Sequence, residues 1–130
     1  MWISPFSTQS IGELFPKIAE MGFDVVEIAV EDPALIDVKQ VKSALNDHGL
    51  KASICGAFGS SRDLTNESKE VQQNGLSYIE SCLDICTGLG VDFFGGPMYS
   101  AVGKARMLKP VERKAEWDLA VKNLQLVCEM

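Results

Sequence analysis

A chain of 130 residues, 46% hydrophobic and 23% charged, has the size of one globular domain with a buried core. Its net charge of −6 argues against a nucleic-acid surface, which needs clustered Lys and Arg, and a neutral small molecule suits it better. No apolar run approaches the ~20 residues that span a bilayer, no basic amphipathic stretch suits a membrane surface, and no signal peptide is seen, so the expected compartment is the cytoplasm.

At the front, residues 1 to about 4 leave room for only a clipped strand. Ser10 and Glu13 then have the spacing of a capping box, and Ile11, Leu14, Phe15 and Ile18 follow the apolar stripe of a first helix that ends at Met21. VVEIAV, residues 25–30, reads as a strand. A second helix begins near Asp37, with Val38, Val41, Ala44 and Leu45 on one face and His48 in its last turn. Residues 52–55 form the next strand. A third helix runs from about 68 to 89 with Leu76, Ile79, Leu83 and Cys86 as its stripe, and Gly75 predicts irregular first turns. Residues 92–95 are a further strand. A fourth helix begins near Pro110, where Trp117, Ala120, Val121, Leu124, Val127 and Cys128 keep the helical period to the end of the chain.

One phrase recurs at each helix-to-strand passage: Gly22-Phe23-Asp24, Gly49-Leu50-Lys51 and Gly90-Val91-Asp92. A glycine just past a helix takes the left-handed conformation at little cost, the next apolar residue packs back, and a strand follows. Repeated, this gives an α/β fold with a parallel sheet. Counting gives about four βα units with the first strand truncated, the N-terminal half of a (β/α)₈ TIM barrel, so residues 1–130 are expected to be a single partial domain. A doubly wound flavodoxin-like sheet is the runner-up, and its first-strand phosphate loop is not seen. The four cysteines are expected to be reduced, since Cys82 and Cys86 sit at i and i+4 on a buried helix face.

The stretches WISPFSTQS, MGFDVVEIAVEDP, SICGAFGSSRDL and FGGPMYSAVGK resemble the amino-terminal half of the D-tagatose and D-psicose (D-allulose) 3-epimerases, within the xylose-isomerase-like sugar isomerase and epimerase barrels. The resemblance covers essentially all 130 residues, and GGPMYSAVGK is its more specific part. It implies a ketohexose substrate, a divalent metal such as Mn²⁺, and two glutamates that exchange the C3 proton through an enediolate. It also implies that those glutamates, with the Asp and His that complete the metal site, come from later strands. The expectation is therefore no catalytic residue, no metal ligand and no bound metal in this chain, and no epimerisation by it alone. The single histidine, His48, reads as a helix-end or surface residue, and no HExxH, CxxC pair or DxDxG loop offers a replacement.

What remains is substrate contact, because residues at the carboxyl ends of barrel strands face the ligand. Trp2, after the clipped strand, suits the C–H face of a sugar, against plain core packing. Cys55 and Gly56 end a strand where the resemblance implies a small lining residue and close backbone approach, against a buried strand end. Gly95-Gly96-Pro97 and Tyr99 form a tight turn carrying a phenol that can meet a hydroxyl, against ordinary turn chemistry. Glu27 reads as a structural carboxylate inside the barrel. Two rivals stay open: a non-catalytic half-barrel that self-associates as a homo-oligomer, and another sugar (phosphate) isomerase or endonuclease-type member of the same barrels.

Overall fold

The computed structural model describes residues 3–130. It divides into two compact units, the first comprising residues up to Gly56 together with Cys82–Gly95, the second Ala57–Ser81 with Gly96–Met130.

The first unit holds helices α1 (Ile11–Glu20) and α2 (Val38–Asp47) and strands β1 (Val25–Val30), β2 (Lys51–Gly56) and β3 (Phe94–Gly95). All pairings are parallel, in the order β1-β2-β3, with Ile28 opposite Ile54 and Ile54 opposite Phe94. Helix α3 (Lys69–Leu89) runs from the second unit into the first, and α4 (Pro110–Cys128) belongs to the second. Among the described residues no helix is long and apolar enough to cross a membrane.

The three glycine passages form as expected. Gly22, Gly49 and Gly90 have φ of 83°, 64° and 76°. In each case the following residue donates its N–H five residues back, Phe23 to Ile18, Leu50 to Leu45 and Val91 to Cys86, which closes a Schellman turn and aims the chain into the next strand. Asp37 caps α2 by accepting from the N–H groups of Lys39 and Gln40 at 3.0 and 3.1 Å.

Period-two alternation sorts β1. Val26, Ile28 and Val30 are buried with Ile54, Phe15, Ile18, Val41 and Leu45, while Val25 and Glu27 are exposed. Side chains buried this fully contribute about 1.5–3 kcal/mol each. Phe6 stacks on Phe15 at 6.3 Å between ring centres and closes that core. All four cysteines are free thiols, Cys82 and Cys86 buried in α3.

Several local expectations are corrected. The Ser10 capping box does not form: Ser10 already has helical backbone angles, its hydroxyl donates to the Ser7 carbonyl, and Glu13 pairs with Lys17 instead. Met21, at the end of the first stripe, is exposed. The last strand is only Phe94–Gly95, because the chain turns away at Gly96, where φ is 135°. In α3, Leu83 is half-buried and Ile85 takes the interior position. The helix also runs regularly through Gly75, whose missing side chain admits the Arg62 carbonyl and Leu64: a Cβ there would lie 2.9 Å and 2.8 Å from them.

The stripe on α4 is overturned most clearly. Trp117, Val121 and Cys128 are exposed, and the buried residue is Asn123, whose amide donates to the Leu64 carbonyl at 2.6 Å and to Gln72 Oε1 at 3.3 Å. A buried amide with both partners satisfied costs little, and turning it outward would leave the buried Gln72 oxygen without that donor.

Gly75→Ala is expected to destabilise by about 1–3 kcal/mol, since the obstructing atom is backbone that cannot rotate away. Gly12→Ala in α1, where a Cβ meets nothing within 4 Å, should cost nothing and add up to about 1 kcal/mol. Urea unfolding of both variants checks the pair; equal midpoints would refute the close packing of α3.

Candidate functional site

In the first unit, Cys55 is the penultimate residue of β2, with Ala29 opposite it on one side and Gly95 on the other. It lines a cavity of about 580 Å³ with Val25, Val26, Glu27 and Ala29 of β1 and with Phe23. Burial pushes the Cys55 thiol up, with the Glu27 carboxylate adding to it, so the group is a neutral, small, weakly polar wall and not a thiolate nucleophile. Gly56 follows it, buried. The sheet face bearing Val25, Glu27, Ala29, Ser53 and Cys55 is therefore mixed in polarity. Trp2 lies outside the described residues. His48 is exposed at the end of α2, and among the described residues no three His, Cys, Asp or Glu side chains come together to hold a metal ion.

The second unit carries Gly96, Pro97 and Tyr99. The Met98 N–H donates to the Gly96 carbonyl at 2.9 Å, a tight turn that leaves Pro97 half-buried and Tyr99 62% exposed. Tyr99 lines a cleft of about 530 Å³ with Ser100, Lys104, Arg106, Arg113 and Trp117. The segment after β2 is pinned within the same unit. The Ala57 N–H donates to the Tyr78 hydroxyl at 2.7 Å, Phe58 meets the Tyr78 ring edge-on at 5.4 Å, and the Arg62 guanidinium lies 3.8 Å over that ring.

The strongest polar feature of the second unit escaped the sequence reading. Lys104 is nearly buried, and its ammonium lies 2.8 Å from Asp63 Oδ2, 2.7 Å from Glu116 Oε1, 2.7 Å from Thr65 Oγ1 and 3.0 Å from the Thr65 carbonyl. Asp63 Oδ1 in turn accepts from the Thr65 N–H and hydroxyl and from the Ala101 N–H. Arg106 reaches Glu116 at 3.1 Å. Burial alone raises the Asp63 carboxyl, but the Lys104 and Thr65 donors outweigh it and the net shift is downward. The Lys104 hydrogen bond likewise lowers Glu116. Charges 41 residues apart leave no local pattern, so only the fold could reveal the pair.

Thus the structure brings Cys55 and Gly56 together with Glu27 in the first unit and Gly96, Pro97 and Tyr99 together in the second.

Comparison with known proteins adds a family. The xylose isomerase-like TIM barrel family matches residues 15–130. A "Ketose 3-epimerase" of Arthrobacter globiformis is 35% identical over 104 residues, which are 80% of this chain and 36% of that protein. An "L-ribulose 3-epimerase" of Methylomonas sp. is 27% identical over the same shares of the two chains. Among solved structures, D-allulose 3-epimerase from Methylomonas sp. in complex with D-allulose superposes with a TM-score of 0.81 at 25% identity, over 97% of this chain and 44% of that one. The chain spans less than half the length of each of these proteins.

Folded Asp63 and Glu116 hold their protons less tightly than unfolded carboxyls, so their contribution is fully present above about pH 5, beyond both unfolded values, and is lost as the pH falls through their lowered folded values. Asp63→Asn should cost about 3 kcal/mol at neutral pH and flatten that acid loss, because Lys104 stays buried with one partner fewer. Lys17→Ala, which breaks a pair 56% and 81% exposed, should cost far less, because solvent screens that pair. Urea titrations at about pH 7 and about pH 3 read both; equal costs for the two variants would refute the buried cluster.

Proposed function

The chain belongs to the xylose isomerase-like TIM-barrel family, and on that premise we propose that it is part of a ketose 3-epimerase, interconverting ketohexoses at C3. The 35% identity to a named ketose 3-epimerase over 80% of the chain carries this reading, and the likeness to a D-allulose 3-epimerase supports it.

The reaction removes the proton from C3, next to the ketose carbonyl, and returns one to the opposite face of the resulting enediolate, which calls for two carboxylates on opposite sides of the carbon. A divalent cation such as Mn²⁺, when bound, would polarise the carbonyl. The described residues do not fit that ion, since they bring no three suitable ligands together. The part proposed for this chain is to hold the sugar. Trp2, Cys55, Gly56, Gly96, Pro97 and Tyr99 are the contact residues of this reading: the neutral Cys55 thiol gives a small wall, Gly56 and Gly96 permit close backbone approach, Pro97 stiffens the turn, and the exposed Tyr99 phenol meets a hydroxyl. The reading places the protein in the cytoplasm, with no nucleic acid and no membrane as partner.

A protein containing this chain together with the rest of the barrel should exchange the C3 proton of a ketohexose such as D-fructose with solvent deuterium, followed by NMR. Met1–Met130 taken alone should show none with Mn²⁺ or Co²⁺ added. Absence of exchange in the longer protein, or turnover by the 130 residues above a metal-free blank, would each refute its half of the reading.

A second reading, self-association, is favoured by one observation. Phe23 and Val25, 53% and 52% exposed, line one cavity of the first unit, and Phe93 of the same unit is 63% exposed, which offers apolar area for a second copy to cover. Sedimentation velocity of the 130 residues at micromolar concentration should show weak or heterogeneous association; a single sharp monomer boundary would refute it.

A further inference from the structure

We infer that the cleft of the second unit between the loop after Gly96 and helix α4 is a binding site for a phosphorylated monosaccharide. Its shape and its chemistry point the same way. The volume of about 530 Å³ lies within the ~300–1,000 Å³ of small-molecule sites. Two aromatic faces line it, Tyr99 at 62% and Trp117 at 70% exposure, and flat apolar faces of this kind suit the C–H side of a sugar. The half-buried Ser100 hydroxyl lines the same space and can meet a sugar hydroxyl, while the buried Thr65 hydroxyl is committed to Asp63 and Lys104.

The charges select an anion. Four charged side chains face the cleft, Lys104, Arg106, Arg113 and Glu116. Lys104 and Arg106 are balanced by Glu116 and by Asp63 behind it. Arg113 is the surplus: its guanidinium forms no ion pair or hydrogen bond among the described residues, in a chain whose net charge is −6. Arg106 spends one N–H on Glu116 and keeps the rest of its fork. Two guanidinium groups on one cleft match the oxygens of a phosphate monoester. The buried Lys104 cluster holds this arrangement still, tying the loop through the Ala101 N–H and α4 through Glu116.

The site does not depend on C3 chemistry, although Tyr99 also belongs to the sugar-contact reading above. Calorimetry on the full chain, with the Trp117 indole N–H followed by NMR, tests it using D-fructose 6-phosphate, D-fructose, inorganic phosphate and AMP as separate ligands. D-Fructose 6-phosphate should bind at least about tenfold more tightly than either D-fructose or phosphate and move the Trp117 signal. Arg113→Ala should weaken it about tenfold, with Arg113→Lys recovering part, and Trp117→Leu should weaken the phosphosugar while leaving phosphate unchanged. Both side chains are exposed, so these variants keep the fold. Equal binding of phosphate alone would mean a bare anion site, equal binding of AMP would remove the sugar assignment, and an unchanged Arg113→Ala would remove the phosphate contact; each overturns the inference. The deuterium exchange of free ketohexose is a separate reading, so its failure leaves this site standing.

Discussion

The constraint on which the fold rests is stereochemical: a helix must stop and hand its chain to a parallel strand within two or three residues. Three times the chain solves this with one left-handed glycine and one N–H reaching five residues back. A side chain at any of the three would carry the steric cost of positive φ. Because each turn is tight, Val25 and Lys51 begin their strands in register with each other, and the alternation of β1 and β2 follows from that start. Ile28 and Ile54 share the buried side and Glu27 pairs with Ser53 on the other, so the placement of Cys55 next to Glu27 descends from the same turns.

The second unit is organised by charge. Lys104 gathers two carboxylates, a hydroxyl and a carbonyl, and desolvation of that ammonium is tolerable only because every proton it carries has an acceptor. The cluster joins three segments that are far apart in sequence: the turn at Asp63, the loop at Lys104 and helix α4 at Glu116. What it fixes is geometry, including that of the loop carrying Tyr99.

What was legible in the residues follows the range of the forces involved. The helix-to-strand turns, the start of α2 near Asp37 and the strand of residues 25–30 depend on neighbours a few positions away, and they read correctly. The family likeness was visible in GGPMYSAVGK. The cap at Ser10 failed because a preceding turn, Thr8–Ser10, had already put that residue in helical angles. Gly75 was misread because a glycine that weakens an isolated helix is required where another backbone presses against it. The face of α4 could not be found from periodicity, since Asn123 and Glu116 turn inward for long-range partners.

Helix α4 carries one more consequence. A helix usually spends its apolar residues on the interior, so drift at those positions is punished through folding. Here an amide takes that duty, and Val111, Trp117 and Leu126 stand 81%, 70% and 41% exposed. They are released from the folding constraint of their own unit. Selection acting on them can therefore register only what the helix meets from outside, and their retention or loss across related sequences becomes a record of binding, kept separate from the record of stability written at Asn123.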